Sequence, residues 1–280
     1  MEIIVAKTAG FCFGVDRAIK TVYDTISDVP VYTYGPIIHN NQVVQSFKKR
    51  DVTIINDLSE LSSKHTGKII IRSHGVSENI LKQLELSDLQ VIDATCPYVK
   101  KIHKIVKTHE LAGREVIIIG QEEHPEIIGI KGWTSLPTHV INSMSDIRKL
   151  DSNKTYGLVT QTTFNQGLYK EIISELQRLD FHVMIDETIC SATHGRQDEA
   201  LSIAKKVTKM IVIGGKHSSN TQKLYQICKG QCDLTYHIET IDDLELNVFT
   251  DNDIIGITAG ASTPKNIIEE VILNVGRKNL

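Results

Sequence analysis

Short runs of β-branched and other apolar residues recur along the chain, and glycine or polar turn residues bound each run. The runs are PVYTYG (30–35), KIIIRSHG (68–75), EVIIIG (115–120), TYGLVTQ (155–161), MIVIGG (210–215) and DIIGITAG (253–260). Continuous apolar runs of this length are typical of parallel strands that are buried on both faces. The segments between them carry apolar residues at helical spacing. The pattern therefore predicts an α/β protein built on parallel sheets.

Three cysteines divide this alternation into thirds. Cys12, Cys96 and Cys190 are 84 and 94 residues apart, and a helical pattern follows each of them. Offsets of 27 or 28 residues then lead to a histidine in each third: His39, His124 and His217. Matched offsets of this kind are typical of an internal repeat, so the spacing predicts three similar units.

A second polar cluster follows a later strand in each third, and these clusters contain His74, Thr162 and Ser262. The first two thirds continue through a further strand into the next cysteine, whereas the last third has no such strand. The N-terminal segment EIIVAKTAGFC has the form needed to supply it. We therefore expect units at 13–95, 96–189 and 190–280, with strand 1–12 completing the third.

The polar residues of the repeat all follow the carboxyl ends of predicted strands. Ligands of open parallel sheets bind outside those ends. If the three units surround an axis, their polar ends meet. The sequence therefore predicts a trefoil of three pseudo-repeated α/β units, with mainly parallel sheets, around a central cleft.

The cysteines Cys12, Cys96 and Cys190 stand at equivalent repeat positions, each before a predicted helix. The N–H groups at a helix N-terminus favour an anionic thiolate, and Pro97 suits the first turn of such a helix. Three thiolates could hold zinc or an iron–sulfur cluster, and the chain lacks the C-x-x-C pair typical of structural zinc sites. Three ligands would leave one iron of a [4Fe–4S] cluster open as a Lewis acid. Cys228 and Cys232 lie outside the repeat and are interpreted as packing or surface residues.

Hydrogen-bond donors cluster at the same strand ends. They are His39, His74, His124, Thr162, Ser218, Ser219, Asn220 and Ser262. Imidazole, hydroxyl and amide donors suit phosphate oxygens, as do backbone N–H groups at helix starts. The sequence has neither G-x-x-x-x-G-K-[ST] nor G-x-G-x-x-G, so the common nucleotide sites are unsupported. A small phosphorylated or diphosphorylated substrate fits better.

Glu126 has two possible roles. An acid in the first turn of a helix that begins at Pro125 is favourable because of the helix dipole alone. The same carboxyl group could face the cleft as a proton donor. The residues by themselves leave both interpretations open.

Composition and charge argue against several classes of protein, namely nucleic-acid binders, secreted proteins and membrane proteins. The 280 residues are 41% hydrophobic and 23% charged, with a formal net charge of −3. This balance argues against a general nucleic-acid binder. The N-terminus has no signal-peptide pattern, and the apolar runs are too short to span a membrane. We therefore expect a cytoplasmic protein, in which five cysteines are thiols or metal ligands rather than disulfides.

The sequence resembles the IspH/LytB family of 4-hydroxy-3-methylbut-2-enyl diphosphate reductases over nearly its whole length. The matching motifs are AGFCFGVDRAI, IIHNNQVV, IRSHGVS, DATCPYVKKIH, GQEEHPEIIG, TQTT, ICSATHGRQ, GGKHSSNT and TAGASTP. The resemblance implies an oxidoreductase that removes the substrate's hydroxyl group reductively. Its products would be isopentenyl diphosphate and dimethylallyl diphosphate, in the last step of the non-mevalonate isoprenoid pathway.

The resemblance also implies the role of each residue. A [4Fe–4S] cluster with one open iron would be held by Cys12, Cys96 and Cys190. The diphosphate would be bound by His39, His74, His124, Ser218, Ser219, Asn220 and Ser262. Thr162 would lie near the substrate hydroxyl, with Thr163 as the ambiguous neighbour in the doublet, and Glu126 would supply the proton. Because no NAD(P)H site is visible, a ferredoxin or flavodoxin would donate the electrons.

Three other functions compete with this one. An iron–sulfur hydro-lyase also removes a hydroxyl group at an open iron, but it needs no net electrons. A zinc-dependent structural or regulatory module would use three thiolates and a histidine. A cluster-based redox sensor would have no substrate.

Overall fold

The computed structural model describes residues 1–277. Its helices are α1 Phe13–Thr25, α2 Asn41–Lys48, α3 Glu78–Glu85, α4 Pro97–Leu111, α5 Pro125–Lys131, α6 Gln166–Arg178, α7 Ser191–Ala204, α8 Ser219–Lys229 and α9 Lys265–Arg277. Its strands are β1 Glu2–Val5, β2 Val31–Tyr34, β3 Val52–Ile55, β4 Lys68–Ile71, β5 Gln90–Asp93, β6 Glu115–Ile119, β7 Thr138–Ile141, β8 Thr155–Thr160, β9 His182–Ile185, β10 Lys209–Ile213, β11 Thr235–Ile238 and β12 Ile254–Ala259.

These strands form three four-stranded sheets. Their orders are β3-β2-β4-β5, β7-β6-β8-β9 and β11-β10-β12-β1, and every pairing is parallel. The same order therefore occurs three times along the described chain. The α/β fold class that the sequence predicts is confirmed, as are its repeated units and parallel sheets.

The first strand belongs to the sheet formed by the last third of the chain. β1 pairs with β12, and the register joins Glu2 to Ile254 and Val5 to Ile257. The backbone N–H of Ala6 extends the pairing through a 2.8 Å hydrogen bond to the carbonyl of Ile257.

Three strands, β3, β7 and β11, each at one edge of its sheet, have no counterpart among the strands that the sequence pattern predicts. Each has four residues, and polar side chains interrupt it, as in VTII, THVI and TYHI. These polar side chains break a short apolar run, so the signal of the strand in the sequence is weaker. A 3₁₀ helix follows each of these three strands and starts with a capping box: Asp57 with Glu60, Ser143 with Asp146 and Thr240 with Asp243.

The described residues pack into two compact units. The first, called unit 1, comprises Met1–Asp16, His39–Val44 and the chain from Ser191 onward. The second, unit 2, comprises Arg17–Ile38 and Gln45–Cys190. Unit 1 contains the β11-β10-β12-β1 sheet, and unit 2 contains the other two. The division into domains at 13–95, 96–189 and 190–280 stays a prediction.

The core of unit 1 lies on both faces of its sheet. Alternate residues of β10 point to opposite faces, as a strand requires. Ile211 and Ile213 pack with the α9 residue Val271 on one face, and Val212 packs with Leu224 of α8 on the other. This two-sided burial explains the continuous apolar runs in the central strands.

The two sheets of unit 2 have their own apolar clusters. On the β7-β6-β8-β9 sheet, Ile117 packs with Ile172 of α6, whereas Ile118 packs with Ile102 of α4 on the opposite face. On the β3-β2-β4-β5 sheet, one cluster includes Ile69 of β4 together with Leu84 of α3. None of the helices in residues 1–277 combines the length and the apolar character needed to cross a membrane.

Candidate functional site

The three repeat cysteines use their backbone N–H groups in the same way. The acceptors are Ala261 for Cys12 at 3.3 Å, Ser73 for Cys96 at 2.9 Å and Thr162 for Cys190 at 3.1 Å. Each acceptor carbonyl lies two residues beyond the end of a strand: β12, β4 and β8 respectively. The structure thus repeats one backbone arrangement at all three positions.

Each of these cysteines directly precedes a helix. The helices α1, α4 and α7 begin at Phe13, Pro97 and Ser191. The three cysteines are half-buried and form no disulfide within residues 1–277. Backbone N–H groups without helical partners occur at such helix starts and suit an anionic ligand. The other two cysteines differ, because Cys228 and Cys232 are buried in an apolar cluster of unit 1.

Unit 2 orients His124 through the start of α5. His124 caps this helix, and its Nδ1 accepts a 3.1 Å hydrogen bond from the backbone N–H of Glu126. A neutral imidazole whose Nδ1 accepts carries its proton on Nε2. The His74 ring lies edge-on to the His124 ring, with 5.3 Å between the centroids. Two imidazoles are therefore held together in unit 2.

The Glu126 carboxylate lies inside unit 2 and is 1% exposed. Its Oε1 accepts a hydrogen bond from the Thr162 backbone N–H at 2.7 Å, and its Oε2 accepts one from the Thr162 hydroxyl at 2.8 Å. Burial raises the pKa of Glu126 to about 7, while the two hydrogen bonds from Thr162 oppose the rise. A carboxyl group with this pKa can donate or accept a proton near neutrality.

These contacts connect most of the predicted site residues of unit 2. Thr162 contacts Glu126 through its N–H and hydroxyl, and its carbonyl accepts from Cys190. Cys96 is bound to Ser73, the neighbour of His74 in the chain. The unit 2 residues brought together are Cys96, Cys190, His74, His124, Glu126 and Thr162.

Unit 1 brings Cys12, His39 and Ser262 together. The Ser262 hydroxyl donates to the His39 carbonyl at 3.2 Å, and the Cys12 N–H donates to Ala261, the residue before Ser262. Gly10 adopts φ of +102° in the segment that leads to Cys12. That conformation favours glycine, and so the backbone angle alone accounts for this residue.

The start of α8 supplies the remaining predicted donors. Ser218 caps the helix by accepting a hydrogen bond from the Thr221 N–H, and Ser219 and Asn220 follow it. All three are at most 5% exposed. The Asn220 Nδ2 is buried and has no hydrogen-bond partner among residues 1–277. A buried amide donor left unpaired is costly, so a ligand atom there would be favourable.

The repeat of histidines is less regular than its spacing indicates. His217 is exposed, and the position that caps α8 in the way His124 caps α5 is occupied by Ser218. In the first third the corresponding contact is made by Asn40, whose Oδ1 accepts from the Val43 N–H. Hence helix capping, rather than histidine itself, is the property shared by the three thirds.

The sequence interpretation missed His103. This residue lies on α4 among buried apolar positions, is 4% exposed and stacks on Trp133, with 4.6 Å between ring centroids. Burial lowers the pKa of His103 to about 4, so it is neutral near pH 7. A Cβ atom on Gly75, the residue after His74, would lie 2.9 Å from the His103 ring. His103 therefore packs directly beneath the segment that carries His74.

Comparisons with known proteins agree on one family. A family model described as LytB protein matches residues 3–276. The 4-hydroxy-3-methylbut-2-enyl diphosphate reductase of Clostridioides difficile is 45% identical over 97% of this chain and 98% of its own. The reductase of the same name from Caldanaerobacter subterraneus subsp. tengcongensis is 44% identical over 97% of this chain and 96% of its own.

Two solved structures are also similar. One, of (E)-4-hydroxy-3-methyl-but-2-enyl diphosphate reductase, is described as that of the terminal enzyme of the non-mevalonate pathway. It is 39% identical, covers 99% of this chain and 100% of its own, and has a TM-score of 0.71. The other is the E-1-hydroxy-2-methyl-but-2-enyl-4-diphosphate reductase from Plasmodium falciparum. It is 30% identical, covers 98% of this chain and 87% of its own, and has a TM-score of 0.92.

Proposed function

The chain belongs to the LytB protein family, and from this membership we propose that it reduces (E)-4-hydroxy-3-methylbut-2-enyl diphosphate. The reaction removes the hydroxyl group and yields isopentenyl diphosphate and dimethylallyl diphosphate, as the last step of the non-mevalonate pathway. Support comes from relatives above 40% identity that bear this enzyme name and match nearly end to end.

The proposed cofactor is a [4Fe–4S] cluster held by Cys12, Cys96 and Cys190, with one iron left open. The donor set fits such a group, because three half-buried cysteines share one backbone arrangement and each precedes a helix. When bound, the cluster supplies single electrons and a Lewis-acidic iron. Burial raises the pKa of the Cys228 thiol to about 12, and so this cysteine is a poor candidate for a ligand.

Seven side chains are the proposed donors to the diphosphate. They are His39, His74, His124, Ser218, Ser219, Asn220 and Ser262. The α8 start favours an anion because its N–H groups and buried side chains face the same end of the helix. The unsatisfied Nδ2 of Asn220 supports this role most directly, since a phosphate oxygen would accept its hydrogen bond. In His124, the donating ring nitrogen is Nε2, because Nδ1 is occupied by the Glu126 N–H.

Glu126 is the proposed proton source, and Thr162 is its relay. When Glu126 is ionised, the Thr162 hydroxyl donates to it at 2.8 Å. When Glu126 is protonated, its O–H can donate to Thr162 Oγ1, which frees the hydroxyl proton of Thr162 for another acceptor. We propose that this acceptor is the departing hydroxyl group of the substrate. The pKa of about 7 keeps a substantial protonated fraction near neutrality.

Electrons come from a separate protein in this proposal. The sequence contains no dinucleotide-binding fingerprint, which favours a ferredoxin or flavodoxin as donor. The cytoplasmic location stays a prediction.

The buried Glu126–Thr162 pair carries the proposal, and an anaerobic assay tests it. Purified protein with its cluster should convert the hydroxylated diphosphate to both isoprenoid products when a chemical reductant is present. Turnover without reductant would favour a hydro-lyase. Colourless protein with one zinc per chain would contradict the cluster. An intact cluster without any turnover would instead favour a cluster-based redox sensor that has no substrate.

Glu126→Gln is the matched variant for this assay. The amide keeps the size of the side chain but cannot supply a carboxyl proton. We expect a loss of about 100-fold or more in kcat with unchanged iron content. Full activity in this variant would remove Glu126 from the proton pathway.

A further inference from the structure

Arg196 joins the segment before Cys12 to a strand end in unit 1. Its side chain projects from α7 and is 3% exposed. The Nη1 atom donates to the Ala259 carbonyl at 2.7 Å, and Nη2 donates to the Gly10 carbonyl at 2.9 Å. One guanidinium group therefore fixes the last residue of β12 and the backbone two residues ahead of Cys12.

Arg17 makes a similar contact in unit 2. Projecting from α1, its Nη1 donates to the carbonyls of Thr95 at 3.0 Å and Ala94 at 3.3 Å. Its Nη2 donates to the Asp93 carbonyl at 3.3 Å. These carbonyls belong to the three consecutive residues that lead from β5 into Cys96. The side chain of Asp93 accepts from the Thr95 N–H at 2.8 Å and tightens the same segment.

The segment before Cys190 is held differently. The Thr188 hydroxyl donates to the Thr160 carbonyl at 2.6 Å and accepts from the Thr160 N–H at 2.7 Å. A neutral side chain thus joins this segment to the end of β8. The two arginines lie five residues after Cys12 and six after Cys190 in the sequence, whereas no arginine occurs within ten residues after Cys96.

We propose that Arg17 and Arg196 are positioning residues for the cluster, which hold the thiols of Cys96 and Cys12 in place before iron binds. This inference rests on the proposed function. A guanidinium group presents several donors in a fixed plane and stays charged, so it can bind two or three carbonyls at once. Lysine has the charge without the planar donor pattern. Partners that orient metal ligands commonly contribute 10- to 100-fold to metal affinity.

The test compares Arg196→Met, Arg196→Lys, Arg17→Met and Arg17→Lys with the wild-type protein. Arg178→Met is the control, because Arg178 is exposed and pairs only with Glu175 within the described chain. One measurement is the alkylation rate of each cysteine in the iron-free full-length chain, read by peptide mass spectrometry. The other is the rate at which a chelator removes iron from the loaded protein.

Site-resolved changes are expected. Both Arg196 variants should raise the alkylation rate of Cys12 about tenfold, and both Arg17 variants should do so for Cys96. Cys190 should keep its rate in all four. The loaded variants should lose iron about 10 to 100 times faster than wild type. The lysine variants should have neither the low alkylation rate nor the slow iron loss of the wild-type protein, because lysine lacks the planar donor pattern of arginine.

Unchanged rates at Cys12 and Cys96 in folded variants would overturn the proposal, as would equal increases at all three cysteines. If Arg196→Met does not fold, circular dichroism will show it, and Arg196→Lys and the half-buried Arg17 decide the outcome. The alkylation rates need no cluster. A wild-type protein that binds no iron would therefore refute the proposed function and still leave the arginine contacts tested.

Discussion

Thr162 donates two hydrogen bonds to Glu126, one to each carboxylate oxygen: its backbone N–H reaches Oε1 at 2.7 Å and its hydroxyl reaches Oε2 at 2.8 Å. Both residues are buried in unit 2. The pair combines opposing influences on one pKa, because burial favours the neutral carboxyl group and the donors favour the carboxylate. The chemistry of Glu126 can therefore be changed through its neighbour.

Thr162→Val removes the hydroxyl donor and keeps the backbone N–H. We expect the pKa of Glu126 to rise and kcat to fall about 100-fold, because the proton relay is lost. The basic limb of the kcat profile for the residual activity should move to higher pH. Thr162→Ser, which keeps the hydroxyl, should retain activity within about tenfold. Thr163→Val is the control for the neighbouring threonine, and an equal loss there would contradict the assignment to Thr162.

Glu126→Gln should change the pH dependence of folding stability. The pKa of Glu126 is raised from 4.5 to about 7, so the folded protein binds the proton more tightly than the unfolded chain does. Its stabilising contribution is complete below pH 4.5 and is lost as the pH rises through 7. The wild-type protein should lose roughly 3 kcal/mol over this range relative to the variant. Urea unfolding at several pH values measures the difference, and parallel profiles would contradict it.

His103→Phe should act in the opposite direction. The pKa of His103 is lowered from 6.5 to about 4, so the unfolded chain binds the proton more tightly. The contribution of neutral His103 is present above pH 6.5 and is lost as the pH falls through 4. Phenylalanine can keep the stacking on Trp133 but cannot be protonated. Between pH 6.5 and pH 4, the free energy of unfolding measured with urea should fall by roughly 3 kcal/mol less in the variant than in the wild-type protein.

Gly10→Ala should destabilise unit 1. The φ of +102° at Gly10 strains any residue with a Cβ atom, and that atom would lie 3.2 Å from Ile268 Cδ1. We expect a loss of about 1–3 kcal/mol in the free energy of unfolding. Gly195→Ala is the control, because Gly195 lies within α7 and its added Cβ would meet no atom within 4 Å. That change should raise the free energy of unfolding by about 0.5–1 kcal/mol. If both substitutions changed stability in the same direction, the prediction would be wrong.

Cys228→Ala should separate packing from iron binding. Cys228 is fully buried among apolar residues, and the variant should keep its iron while losing about 1 kcal/mol of stability through a small cavity. Cys96→Ala should keep its fold and bind far less iron. Iron per chain and the thermal midpoint, measured on both variants, check the prediction. If Cys228→Ala lost its iron and Cys96→Ala kept it, Cys228 would be the iron ligand and Cys96 the packing residue.

The central strands and the cysteine repeat could be predicted from the sequence because their signals are local. Runs such as EVIIIG are continuous where both sheet faces are covered, and glycine marks the end of the strand. The strands β3, β7 and β11 were missed because polar side chains interrupt their short apolar runs, as in VTII. Arg17 and Arg196 gave no signal, because their partners are backbone carbonyls, which every residue possesses.

The pairing of β1 with β12 also constrains how the protein is made. These strands are about 250 residues apart in sequence, yet they lie side by side in one parallel sheet. A ribosome that adds about 5–20 residues per second needs roughly 12–50 s between them. Throughout that interval the N-terminal segment has no sheet to join, and Ala261, the carbonyl partner of Cys12, has not yet been synthesised. Completion of the Cys12 position is therefore a late step in the synthesis of this segment, because it waits until the chain has grown beyond residue 261.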